Sequence, residues 1–167
     1  MNRNYSFGKG SMRNIVTLSA PLQRICHEGL RIANSRKVYC PDFSIVRGLT
    51  SAENQFELWK KGREPVEFML PDDDEFKDRS NWRKVGKTVT NCDGYEVESD
   101  HQKADIDGGS FAFDFACWIN GGSNYEDQNM ALVATCFFEA ASNDGFVIDW
   151  GGNYRSISDG SHISLVV

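Results

Sequence analysis

Phe111-Ala-Phe-Asp-Phe-Ala116 alternates large aromatic residues with small ones, and a single acid, Asp114, stands in the small set. A strand sends successive side chains to opposite faces. Phe111, Phe113 and Phe115 therefore line one side, and Ala112, Asp114 and Ala116 the other. The aromatic side needs an apolar layer to pack against, while the small side lets other groups come close to one carboxylate.

The sequence on either side supplies the layer and the neighbouring strands. Met130, Val133, Cys136, Phe137, Ala140 and Ala141 recur at helical spacing and predict a helix that ends near Gly145. Phe146–Trp150 and Ile163–Val167 read as further strands. Towards the N-terminus, Gly86–Thr90 reads as a short strand followed by a loop over 91–99, and Asp42–Gly48 as a strand ending at a glycine. Ser51 caps a helix with Gln55, Leu58 and Trp59, stopped by Gly62. Ser19-Ala-Pro21 opens another, with Leu22, Ile25, Cys26, Leu30 and Ala33 on one face. Residues 63–82 are polar, with Pro65, Pro71 and the run Asp72-Asp73-Asp74-Glu75, and predict a long exposed loop or lid. The acidic run reads as a solvated loop, with calcium binding as the alternative. No internal repeat is present, and 167 residues suit a single domain over 1–167.

A net charge of −6 and a pI near 5.0 argue against sequence-independent nucleic-acid binding, which needs clustered lysine and arginine. Five cysteines without a CxxC pair fit reduced thiols better than a secreted disulfide framework. The start MNRNYSFGKGSMRN has basic residues but no apolar core, and no run approaches the ~20 apolar residues of a membrane span. The expectation is a protein made in the cytoplasm, with no signal peptide and no membrane insertion.

Zinc catalysis needs about three protein ligands and an open position for water, with a base nearby. Of the three histidines, His27 lies within a helical pattern and reads as structural or surface-exposed. The other two stand beside acids, in Ser99-Asp-His101 and Asp159-Gly-Ser-His162. Taken alone, these two segments fit ordinary turns as well as a metal site.

The ordered set is more specific. Ser99-Asp100-His101, then Ala112-Phe-Asp-Phe-Ala116, then Trp150-Gly-Gly-Asn-Tyr154 with Asp159-Gly-Ser-His-Ile-Ser-Leu165 resembles the LAS-type zinc peptidases of the lysostaphin, D-Ala-D-Ala peptidase and hedgehog-like fold. Within them it looks like the phage L-alanyl-D-glutamate endolysins and VanY-like D,D-carboxypeptidases. Phe7-Gly-Lys9, Asp42–Gly48, Glu53-Asn-Gln55, Gly86–Thr90 and Ala116–Gly121 follow the family order too. The resemblance implies an α+β fold, a small antiparallel sheet with three main helices packed around it and the zinc site on the sheet. It implies His101, Asp114 and His162 as Zn²⁺ ligands and Asp159 as the base. Arg47, Thr50, Gln55 and Ser99 fall on the substrate side.

Three departures stand out. Asp114 follows His101 by thirteen residues where the family has seven, and Asp107 stands seven before it as a rival ligand. A calcium-loop reading of Asp105-Ile-Asp107-Gly108 lacks an acid at the first position, where Lys103 stands. Thr50 stands where the family carries an arginine that holds a substrate carboxylate; Arg47 is the nearby cation, but neighbouring side chains on a regular strand point to opposite faces. Asn153 replaces a frequent aspartate. The implied activity is an endolysin-like, zinc-dependent peptidoglycan peptidase, with the L-Ala-D-Glu bond of the stem peptide as the expected target. The protein is expected to act as a monomer that leaves the host cytoplasm at lysis. The alternatives are a D,D-carboxypeptidase and a non-catalytic metal-binding or structural phage protein.

Overall fold

The computed structural model describes residues 4–66, 74–155 and 159–167. In chain order its elements are helices α1 (Lys9–Ile15) and α2 (Ala20–Ser35), strand β1 (Asp42–Arg47), helix α3 (Ala52–Trp59), strands β2 (Arg63–Pro65), β3 (Trp82–Lys84), β4 (Ala112–Ile119) and β5 (Gly122–Asn124), helix α4 (Asp127–Asn143), and strands β6 (Ile148–Trp150) and β7 (His162–Leu165). They group into two compact units, residues 1–49 with 104–167 and residues 50–103.

The first unit is built on an antiparallel sheet in the order β1-β4-β7-β6, with β5 paired to β4. Its apolar face is the one the alternation of β4 predicts. Phe43 of β1 and Phe113 and Phe115 of β4 meet Phe137 of α4 edge-on, with ring centroids 5.2, 5.0 and 5.3 Å apart. Edge-to-face packing sets the positive ring rim against a negative ring face and adds to the gain from burial. Helix α2 buries Leu22, Ile25, Cys26, Ile32 and Ala33 and joins the same core. Gly29 is what lets α2 lie so close to α4, because a Cβ there would sit 2.7 Å from the Phe137 ring. The sheet turns from β4 into β5 through Asn120 and Gly121, at φ 52° and 79°, the left-handed pair that a two-residue hairpin requires.

The α+β architecture is present, with one helix beyond the three expected. Helix α1 has only seven residues and shows no repeating apolar face. Its role is polar. Ser11 Oγ accepts the Ile45 amide at 3.1 Å and Asn14 Nδ2 donates to the Ile45 carbonyl at 2.9 Å, so α1 closes the free edge of β1.

The second unit centres on α3, where Ser51 Oγ accepts the Asn54 amide as the expected cap. Phe56 and Trp59 stack at 5.4 Å, and Phe76, Trp82 and Tyr95 surround Phe56 edge-on. Residues 63–82, expected as a long exposed loop or lid, carry regular structure in their described parts. Strands β2 and β3 pair antiparallel across the segment, and Phe76 and Trp82 anchor it. Pro71, Asp72 and Asp73 lie outside the described residues, so the calcium alternative for the acidic run falls largely there. Residues 86–90 correct a second expectation, since they form bends rather than a strand. Among the described residues no ladder partner holds them; Gln55 Nε2 and the Arg63 guanidinium bind them at Thr90 instead. Among the described residues, no helix is long and apolar enough to cross a membrane.

Candidate metal centre

Asp114 stands in the middle of β4 on the face opposite the phenylalanine core. The register places Arg47 of β1 across from it on one side and His162 of β7 on the other. A single row thus crosses three strands. Arg47 reaches the row because the pairing of β1 with β4 slips between Ile45 and Arg47, a β-bulge that leaves Val46 without a partner. Uninterrupted alternation would have turned Arg47 the other way, and the extra residue re-aims it. His162 Nδ1 lies 3.2 Å from Asp114 Oδ1, and the Arg47 guanidinium 3.5 Å from Asp114 Oδ2.

His162 owes its position to the turn before it. Asp159 Oδ1 accepts the Ser161 hydroxyl at 2.6 Å and the Ser161 amide at 3.2 Å, and the His162 amide donates to the Asp159 carbonyl at 3.1 Å. This turn is tied back to Trp150-Gly-Gly. The Asp159 amide donates to the Gly151 carbonyl at 2.9 Å and the Trp150 indole N–H to the Gly160 carbonyl at 2.8 Å. A Cβ on Gly151 would lie only 2.4 Å from the Asp159 carbonyl oxygen, and one on Gly152 would meet the Trp150 ring at 2.3 Å. Both glycines are therefore required by close approach. Among the described residues, Ser161 supplies both donors to the Asp159 carboxylate.

Within residues 50–103, His101 sits in a tight turn and is 2% exposed. Ser99 Oγ accepts its amide at 3.4 Å, and its carbonyl accepts the Thr50 amide at 3.1 Å. The Gln102 side chain locks the turn, accepting from the Ser99 amide and donating to the Gly94 carbonyl. Gln55 is buried, and its amide donates to the Cys92 carbonyl at 2.8 Å. Buried Asp93 organises the preceding loop, accepting the Tyr95 and Glu96 amides at 2.7 and 2.8 Å and pairing with Arg79 at 3.0 Å.

His101, Asp114 and His162 each offer one ligand atom, and these atoms lie within 4.8 Å of one another. Bond lengths of about 2.1 Å put the ligand atoms of a tetrahedral zinc roughly 3.4 Å apart. The Asp114–His162 pair already meets that spacing, at 3.2 Å. Two imidazoles and a carboxylate, three ligands with a position left over, are a donor set that suits catalytic zinc. Asp107 is not in the group: it is exposed, in a turn where its amide and that of Gly109 bond to Asp105 Oδ1 at 3.1 and 2.8 Å. His27 is exposed on α2, edge-on to Phe7 at 5.8 Å.

Over 96% of this chain and 90% of the other, the structure matches the L-Ala D-Glu endopeptidase ChiX of Serratia marcescens, with a TM-score of 0.64 and 21% sequence identity. The chain shares that peptidase's fold. No protein-family model matches the sequence, and neither does any curated protein. The likeness is therefore one of fold. Sequence reasoning did not foresee the bulge at Val46, the Trp150 indole as a tether of the Asp159 turn, or Tyr154, whose ring centroid lies 6.2 Å from that of His162. The Trp150-Gly-Gly motif was the available signal for the tether. No residue type marks the bulge.

Proposed function

We propose that this protein is a zinc-dependent peptidoglycan peptidase that cuts the stem peptide, with the L-Ala-D-Glu bond as its target. The observation that supports this most is a His-Asp-His group with the chemistry of a metal site, in a fold shared with an L-Ala D-Glu endopeptidase. His101, Asp114 and His162 would hold the metal. When bound, zinc lowers the pKa of water and polarises a carbonyl oxygen. The chain's own part in the reaction is proton handling and positioning. Asp159 takes the proton of the attacking water and delivers it to the leaving amine as the peptide bond breaks. Its Oδ1 is fixed by Ser161, which orients the carboxylate in the turn that leads into His162. In the same reading the protein is made in a host cytoplasm, where its five cysteines, with no CxxC pair among them, suit reducing conditions, and it meets the wall at lysis.

The test is digestion of purified sacculi followed by mass spectrometry, with and without a chelator, alongside metal analysis. Metal-dependent release of fragments cut between L-Ala and D-Glu is expected. Asp159→Asn should keep its zinc and lose about 10²- to 10⁴-fold in turnover, the usual contribution of a general base. Release of terminal D-Ala alone would instead make it a carboxypeptidase, and bound zinc without cleavage of any wall fragment would make it a non-catalytic descendant.

A further inference from the structure

The cross-strand row assigns Arg47 a task on the metal side of the site. We infer that Arg47 is a positioning residue for Asp114: its guanidinium holds Oδ2, so that only Oδ1 is offered to the metal. The inference rests on the metal-centre reading above. Its geometry lies within the sheet. Arg47, Asp114 and His162 are register partners on β1, β4 and β7. The two oxygens of Asp114 are divided between its neighbours, Oδ1 at 3.2 Å from His162 Nδ1 and Oδ2 at 3.5 Å from the Arg47 guanidinium. Both side chains are largely enclosed, at 24% and 14% exposure, so solvent screens the pair only in part.

A carboxylate left to itself can bind a cation through one oxygen or both. A second oxygen on the metal would fill the position that water and the substrate carbonyl need. With Oδ2 engaged by a charged donor, Asp114 contributes one ligand atom, and the three side chains leave that position open. The β-bulge gains a purpose on this view, because without the extra residue at Val46 the guanidinium would face the other side of β1. Partners of this kind, which touch a ligand rather than the metal, commonly alter affinity or activity 10- to 100-fold when removed.

The sign of the effect separates positioning from mere proximity. A bystander cation repels a metal ion, so its removal tightens binding; loss of a positioning partner weakens it. The experiment measures zinc affinity by competition with a chromophoric chelator for wild type, Arg47→Ala and Arg47→Lys. The visible spectrum of each protein loaded with cobalt(II), whose band intensity drops as coordination rises above four, is recorded alongside. Arg47→Ala should bind zinc about 10- to 100-fold more weakly, and its cobalt bands should shift and lose intensity. Arg47→Lys should recover part of both. Thermal unfolding of the metal-free proteins separates a folding defect from a site defect, and the lysine variant carries the test should the alanine variant fail to fold. Zinc binding in Arg47→Ala as tight as in wild type or tighter, with an unchanged cobalt spectrum, overturns the assignment of Arg47 alone. A wild-type protein that takes up neither zinc nor cobalt overturns the metal centre itself.

Discussion

Gly151→Ala puts the link between the Trp150-Gly-Gly motif and the site to a direct test. The added Cβ would lie 2.4 Å from the Asp159 carbonyl oxygen and 3.1 Å from His162 Cβ. Non-bonded atoms settle at about 3.5 Å or more, so the turn must retreat by roughly 1 Å. The obstacle is backbone, which cannot rotate aside as a long side chain does. Overpacking of this kind costs about 1–3 kcal/mol, and in a chain of this size each kcal/mol lowers Tm by about 2–4 °C. A fall of about 2–12 °C is expected for the metal-free protein. The functional loss should be larger, since the displaced turn carries both Asp159 and His162, and a misplacement of ~1 Å can remove about 100-fold in rate. Thermal unfolding, zinc competition and sacculus digestion measure the three effects. Gly122→Ala is the matched control, because its nearest neighbour would be 3.9 Å away, and it should shift Tm by no more than about 1–2 °C. If Gly151→Ala melts with wild type and binds zinc equally well, the motif does not place the turn and the argument is wrong.

Phe137→Ala removes the ring on which three core phenylalanines converge and should cost about 3–5 kcal/mol by thermal or urea unfolding; a loss under 1 kcal/mol would mean that the core is not organised around it. Gly10→Ala, at an exposed position of α1 with no atom within 4 Å of the new methyl, should gain about 0.4–1 kcal/mol, and destabilisation would contradict the helix there. Partial burial raises the pKa of Asp42 above the ordinary carboxylate value, with the Phe43 amide opposing. A carboxyl whose pKa is higher folded than unfolded contributes most when protonated, below the unfolded value, and that contribution is lost as pH rises through the folded one. Asp42→Asn, which can still accept from the Phe43 amide, should therefore raise Tm at pH 7 by an amount that vanishes towards acid pH; a lower Tm at pH 7 would reverse the sign.

What could be read from the sequence divides along physical lines. Elements that bury a repeating face were legible: α2 and α4 through their apolar spacing, β4 through its phenylalanines, α3 through its Ser51 cap. Elements held by particular hydrogen bonds were not. Helix α1 exists because Ser11 and Asn14 serve the edge of β1, which no periodicity records. The β2–β3 pair is fixed by distant aromatic partners, and the bends at 86–90 by side chains of α3 and β2, so local propensity misjudged both. At the candidate centre, Asp114 and His162 were legible as residues and as neighbours in motif order. The distance of thirteen residues from His101 to Asp114 left Asp107 in contention as a ligand. The direction of Arg47 depended on a register slip that leaves no trace in composition.

The arrangement at β1 also bears on behaviour at high concentration. A strand at the margin of a sheet normally presents a row of unsatisfied amides and carbonyls, a template on which another chain can build. Here the Ile45 amide and carbonyl are both consumed by helical side chains, and the Phe43 amide bonds to its neighbour, Asp42 Oδ1, at 2.8 Å. Helix α1 thus works as a plug against self-templated growth. A version shortened to begin at α2 would keep the apolar core of the sheet yet uncover that margin, and copies of it should pair edge to edge.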